Sequence, residues 1–341
     1  MASARRIVPP GAGLNTPAVP AESFTPPWWC RNRHAQTIWG PFFRPARLAL
    51  RRERMITDDG DFVDLDWLAD APAPGAPLVM VLHGLEGSSR SHYVQGLLGG
   101  ARARGWRGVA LNFRSCSGEM NRLPRFYHSG DTGDVDAVVR RLLAREPGLR
   151  LGVVGISIGG NVMLKWLGEQ GVAAPPAVAG GVAISVPYDL EACARVLDRG
   201  FAKHVYTANF MRTMRRKVVE KARAYPGFVD VASACRARTF SEYDAAVTAP
   251  LFGFADAQDY WRRASSAPYL AAVARPALLI NALDDPFVPA HALPKPGELP
   301  PHVQLVLTPH GGHVGFVDGR WPWRVDSWAE RRALDFLAAL F

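Results

Sequence analysis

Short continuous apolar runs recur through the chain, at residues 78–82, 108–113, 151–156, 178–185, 277–282 and 303–307. A half-exposed strand would alternate apolar with polar residues, so runs that are apolar throughout belong to strands covered on both faces, as in a parallel sheet. Helical periodicity fills the gaps, at 93–104, 131–145, 159–169 and 321–341. Strands alternating with helices predict a doubly wound, mostly parallel sheet. Upstream, residues 48–68 hold two β-leaning runs separated by Asp59-Gly60, a turn pair that predicts a hairpin. One stretch breaks the alternation: residues 187–273 carry helical and loop signals but no convincing buried strand, which places an insertion over one edge of the core. The chain is expected to divide into a core, 23–186 with 274–341, and a helical cap insertion, 187–273. Residues 1–22 contain prolines and no apolar h-region, and read as a flexible arm.

Composition narrows the function classes. With 48% hydrophobic and 21% charged residues the chain is an ordinary globular protein rather than a disordered or fibrous one. Lys and Arg outnumber Asp and Glu by 40 to 31, but the basic residues are mostly dispersed arginines without a nucleic-acid-binding motif, so nucleic acid is not an expected partner. No run reaches the ~18 apolar residues of a membrane span. Cys30, Cys116, Cys193 and Cys235 lie far apart with no C-x-x-C pair, which suggests neither a zinc site nor a disulfide framework and fits a cytoplasmic protein with reduced thiols.

Chemistry concentrates at the ends of the apolar runs. The run ending at Ile156 leads through Gly155-Ile156-Ser157-Ile158-Gly159 into a helical pattern, which is G-x-S-x-G in the strand–turn–helix setting of a nucleophile elbow. A serine nucleophile needs a base, and the base needs an orienting acid, in the chain order Ser, Asp or Glu, His. After the run 277–282 come Asp284 and Asp285; after 303–307 come His310 and His313. The sequence Asp285-Pro286-Phe287-Val288-Pro289 singles out Asp285 as the acid and leaves Asp284 as a turn or capping residue. His313 follows Gly311-Gly312 and is the expected base, with His310 a structural hydrogen-bonding residue; a metal read on the two histidines lacks further ligands at suitable spacing. Acyl transfer also develops an oxyanion, and its expected donors are the backbone N–H groups of Ile158, after the serine, and Leu85, in the loop His83-Gly84-Leu85-Glu86-Gly87-Ser88-Ser89. Glu86 would repel an oxyanion, so it is expected to point away.

Taken together, the Ser157 elbow, H-G-L-E-G-S from His83, D-D-P-F from Asp284 and G-G-H-V-G-F from Gly311 resemble the AB-hydrolase-4 family of α/β-hydrolases, most closely its bacterial YheT-type branch. Residues 112–122, residues 127–134 and Asn32-Arg33-His34-Ala35-Gln36-Thr37 carry the same resemblance, which spans about residues 24–341. It implies the α/β-hydrolase fold, a triad of Ser157, Asp285 and His313, and carboxylic-ester hydrolysis without a cofactor. One departure is Arg114-Ser115-Cys116 where the family has Arg-Gly-Cys, which raises a question about the backbone of that loop.

The expected function is a serine esterase working through an acyl-enzyme on a small-molecule or lipid-like ester. Its rivals are an acyltransferase or thioesterase with the same machinery, and a non-catalytic hydrolase-fold ligand-binding protein. Over the inserted segment, Arg195, Arg199, Lys203, Arg212, Arg215, Arg216, Lys217, Lys221 and Arg223 suggest a basic face that could meet a lipid surface peripherally. Phe201, Val205, Tyr206, Phe210 and Met214 are the expected lining of an acyl pocket beneath it.

Overall fold

The computed structural model describes residues 24–44, 47–70, 72 and 74–341. The expected arm, 1–22, lies outside the described residues. An eight-stranded sheet forms the centre: β1 (Leu50–Ile56), β2 (Phe62–Leu68), β3 (Leu78–Leu82), β4 (Arg107–Asn112), β5 (Leu151–Ile156), β6 (Val178–Ile184), β7 (Ala277–Ala282) and β8 (Val303–Thr308). Their spatial order is β1-β2-β4-β3-β5-β6-β7-β8. The hairpin β1–β2 pairs antiparallel, as does β2 with β4, and every later neighbour is parallel.

Parallel pairing explains the continuous apolar runs. On β3, Leu78, Met80 and Leu82 enter one hydrophobic cluster and Val79 and Val81 enter the other, because successive side chains point to opposite faces. Helices cover both faces: α2 (His92–Ala103) and the terminal helix Trp328–Ala338 on one, α3 (Gly133–Arg145) and α4 (Ile158–Gln170) on the other. Between β6 and β7 the regular elements are all helical, the longest being Ala208–Ala224. Among the described residues no helix is long and apolar enough to cross a membrane.

The structure differs from the sequence reading at both ends. Residues 321–327 do not begin a helix; Val317–Trp321 and Arg324–Ser327 form a two-stranded ribbon, and the helix starts only at Trp328. Antiparallel pairing of Trp321 with Arg324 and of Val317 with Ser327 takes up this backbone instead, and Gly319 adopts φ 124°, which a helix does not accommodate. Near the N-terminus, α1 (Arg33–Phe43) is a helix the periodicity did not single out. Its signal was the N-cap: Asn32 accepts from the backbone N–H of His34 and Ala35.

The turn from β5 into α4 is the tightest point of the fold. Ser157 sits at φ 54°, ψ −121°, outside the regions a non-glycine residue normally occupies. A Cβ on Gly155 would lie 2.5 Å from the Gly159 carbonyl oxygen, and one on Gly159 would lie 2.4 Å from the Leu82 carbonyl oxygen. Backbone atoms are on the other side of both contacts, so no side chain could swing clear. Gly159→Ala is therefore expected to push α4 away from β3 and to cost at least about 3 kcal/mol of stability, read from urea unfolding. An unchanged midpoint would show that the elbow has slack.

Candidate active site

Because β3, β5, β7 and β8 are parallel, their C-terminal ends share one edge of the sheet, and the loops leaving them converge. His313 Nε2 lies 2.9 Å from Ser157 Oγ, and His313 Nδ1 lies 2.9 and 3.1 Å from the two oxygens of Asp285. The carboxylate accepts a hydrogen bond from Nδ1–H, the tautomer that leaves Nε2 to accept from the serine hydroxyl. Asp285 Oδ1 also accepts from the N–H groups of Phe287 and Val288, a local turn that fixes the carboxylate before the histidine reaches it. Phe287 stacks on the His313 ring at 4.0 Å between centroids. All three residues of the Ser–His–Asp arrangement are buried.

The residues not selected sit apart. His310 Nδ1 meets Asp284 Oδ2 at 3.3 Å on the exposed side of the loop, and Asp284 Oδ1 accepts from Gly312 N–H. Asp284 thus braces the turn while Asp285 faces the histidine.

A cavity of about 720 Å³ opens in front of Ser157 and His313. Leu85 and Ile158 line it beside the serine; Leu190, Ala194, Leu197, Val205, Tyr206 and Phe210 line it from between β6 and β7; Thr37, Ile38 and Phe42 line it from α1. No acceptor within the described residues takes up the backbone N–H of Leu85 or of Ile158, two residues that line the cavity.

A profile of the α/β-hydrolase fold matches residues 77–320. The chain belongs to the α/β-hydrolase fold family. The Escherichia coli protein named "Putative esterase YheT" is 40% identical over 310 residues, covering 90% of each chain. Phospholipase ABHD3 of Mus musculus is 31% identical over 94% of this chain and 80% of its own. The solved esterase Pf2001 of Pyrococcus furiosus superposes with a TM-score of 0.56 at 18% identity, over 86% of this chain and 91% of that one, a likeness of fold.

The family motifs of this α/β-hydrolase turn out to be the braces of the site. His83 donates from Nδ1 to the Gly84 carbonyl at 2.7 Å and accepts at Nε2 from Phe113 N–H at 3.1 Å, tying the loop after β3 to the end of β4. Arg114 holds buried Asp134 with one guanidinium edge, Nε and Nη2, and reaches Asp59 and Asp61 with Nη1. Ser115, where the family has glycine, adopts φ 63°; its hydroxyl bonds Asn121 Oδ1 and accepts from Asn121 N–H, so the side chain satisfies locally what glycine would permit sterically. Asn161, in the first turn of α4, donates to the carbonyls of Ser129 and Ala264 and accepts from Ser266 N–H. It therefore joins the loop of residues 127–134 to the helices between β6 and β7.

Glu86 points away from the cavity, and the reason is a partner that sequence spacing did not pair with it. Lys217 Nζ lies 2.7 Å from Glu86 Oε1, and Tyr127 accepts from Glu86 N–H and donates to its carboxylate. Burial works against the Lys217 charge, but the neighbouring Cys116 and Glu86 hold its pKa above the usual lysine value, while burial pushes the Cys116 thiol up to about 11.

Three of the nine cations expected on a basic face are drawn into docking contacts: Lys217 pairs with Glu86; Lys221 is buried, donating to Asn121 and to the Leu123 carbonyl; Arg215 donates to the Ala237 carbonyl. Arg195, Arg199, Arg212, Arg216 and Arg223 are exposed. Phe201 and Met214 do not line the Ser157 cavity: Phe201 is exposed against His34, and Met214 lines a smaller cavity beside Glu86.

Two expected outcomes follow from these contacts. Lys217→Met leaves a nearly buried carboxylate without its cation and should cost about 3 kcal/mol, measured by chemical unfolding, whereas Lys217→Met with Glu86→Gln should recover most of it. His83 has its pKa lowered to about 4 by burial, against about 6.5 when unfolded. The unfolded chain therefore binds a proton at His83 that the fold refuses, so its contribution is complete above pH 6.5 and is lost as pH falls towards 4. The stability difference between wild type and His83→Asn should be flat above pH 6.5 and shift against the wild type by about 1.4 kcal/mol per pH unit below it. Parallel curves across that range would contradict a neutral His83.

Proposed function

We propose that this α/β-hydrolase is a carboxylic ester hydrolase with Ser157 as nucleophile, His313 as general base and acid, and Asp285 as the group that fixes the imidazole. The observation that carries the reading is the continuous chain from Ser157 Oγ through His313 to Asp285, with each link at 2.9 Å and the serine opening on a cavity. Ser157 attacks the ester carbonyl as its proton passes to His313 Nε2. The carbonyl oxygen, now negative, is received by the N–H groups of Leu85 and Ile158. Collapse expels the alcohol, which takes the proton from His313. Water then attacks the acyl-enzyme with the same proton path and returns Ser157 free.

Residues 187–273 serve as the cap, and the acyl chain of the substrate lies along Leu190, Ala194, Leu197, Tyr206 and Phe210. An apolar wall of this kind rewards each added methylene until the cavity is filled. The esterase and phospholipase relatives support the ester class. An ester with an apolar acyl chain is the substrate this cavity suits.

Ser157→Ala should abolish labelling by a fluorophosphonate and reduce ester turnover to the residual rate left by the oxyanion donors and binding. Near wild-type turnover in that variant would remove the serine mechanism. Asp285→Asn should lower kcat on the order of 10⁴-fold by presenting the wrong imidazole tautomer, and Asp284→Asn far less. The opposite ranking, with both proteins folded, would transfer the role to Asp284. Across p-nitrophenyl esters from acetyl upward, kcat/KM should rise with chain length before levelling.

A further inference from the structure

The loop that carries His313 has a backbone it could not hold by itself. Gly312 lies at φ 60°, Val314 at 58° and Phe316 at 43°. Glycine enters this left-handed region freely, but a β-branched valine and a phenylalanine do so only where surrounding contacts impose it. His313 stands between two such residues, so the position of its ring is decided by whatever restrains the flanking peptides.

Three consecutive N–H groups supply that restraint, and each is taken by a side-chain oxygen from a different part of the chain. Gly312 N–H donates to Asp284 Oδ1 at 2.9 Å, His313 N–H to Thr37 Oγ1 at 3.0 Å, and Val314 N–H to Ser185 Oγ at 3.0 Å. Asp284 belongs to the loop after β7 and Ser185 to the end of β6. Thr37 comes from α1, more than 270 positions away, as the separation of 276 shows.

The approach of α1 is itself fixed at backbone distance. A Cβ on Gly312 would fall 2.5 Å from the Arg33 carbonyl oxygen, and one on Gly315 would fall 2.5 Å from that of Gln36. Gln36 is fully buried; its amide donates to the carbonyls of Cys30 and Val317, and its Oε1 accepts from Val317 N–H at 2.6 Å. Gln36 therefore sets the depth of the helix, and the next residue presents its hydroxyl to His313. The Thr37 hydroxyl donates its own proton to the Arg33 carbonyl, which leaves an oxygen lone pair aimed at the histidine peptide.

We propose that Thr37 is a positioning residue of the hydrolytic site: from an N-terminal helix outside the sheet, its hydroxyl holds the His313 peptide so that Nε2 stays in line with Ser157. The inference rests on the Ser157–His313–Asp285 reading. Thr37 borders the cavity, but its hydroxyl meets the Ser157–His313–Asp285 group only through the His313 peptide. A misplacement of a reacting group by about 1 Å can cost on the order of 10²-fold in rate, and a lost anchor on the histidine peptide is a displacement of that kind.

The test compares Thr37→Val, which keeps the shape and removes the acceptor, with Thr37→Ser, which restores it. With a short p-nitrophenyl ester, Thr37→Val should lower kcat by about 10- to 100-fold and slow inactivation by a fluorophosphonate in parallel, while KM stays within about twofold of wild type. Thr37→Ser should return kcat to within a few-fold. If Thr37→Val does not fold, Ser185→Ala tests the neighbouring anchor, with the same loss of kcat at unchanged KM expected. A folded Thr37→Val with wild-type kcat overturns the proposal even if its melting temperature falls, because that outcome is a structural role only. A Thr37→Ser variant as slow as Thr37→Val also overturns it. Ser157→Ala in the same assay separates the two readings: if it retains turnover, the triad fails, and if it is dead while Thr37→Val is fully active, the triad stands and the positioning role falls.

Discussion

The arrangement around Ser157 depends on how closely α4 approaches β3. Gly159 touches the carbonyls of Leu82 and His83 at a distance no side chain permits, and this contact holds Ser157 in its disfavoured backbone conformation. The same contact brings the loop after β3 beside the serine, so Leu85, Ser157 and Ile158 line one cavity. A turn with ordinary spacing would separate them. The strain at Ser157 is sustained because β5 and α4 are anchored on both sides by fully buried apolar side chains.

Around this point the fold accumulates charges that it must pair. Arg114 with Asp134 and Asp61, Arg54 with Asp64, Arg52 with Asp66, and Lys217 with Glu86 all place carboxylates beneath the surface with a cation on each. Such pairs add little net stability relative to an apolar core, but breaking one leaves a buried charge uncompensated. Their directionality suits loops that need one geometry. The loops of residues 112–122 and 127–134, which carry no group of the proposed chemistry, are held largely this way, and they in turn hold His83 and Glu86.

Two helical segments from outside the sheet complete the site. Lys217 and Lys221 pin the longest helix between β6 and β7 to the loops after β3 and β4, and α1 closes from the other side through Gln36 and Thr37. The two meet where His34 Nδ1 lies 2.8 Å from the Tyr206 hydroxyl. The cavity before Ser157 is therefore walled by segments remote in the chain, one docked by polar contacts to the loops after β3 and β4 and the other to the loop that carries His313.

The sequence alone located the core strands, because burial on both faces removes polar residues from a strand and leaves a readable run. It also made the elbow legible, since only glycine fits two positions before and after Ser157, and it offered Asp285, through Asp285-Pro286-Phe287-Val288-Pro289, and His313, through the preceding Gly311-Gly312, which the structure places in hydrogen-bond contact. Tertiary structure decided what local spacing cannot encode. A lysine that neutralises Glu86 from 131 positions away looks, in one dimension, like one more cation on a basic helix. Residues 321–327 look like the start of a helix until a ribbon partner takes their backbone hydrogen bonds. Asn32-Arg33-His34-Ala35-Gln36-Thr37 was legible as a family motif but not as a support for His313, because its partners lie at the other end of the chain, and such partners become neighbours only when the sheet has brought its strand ends to one edge.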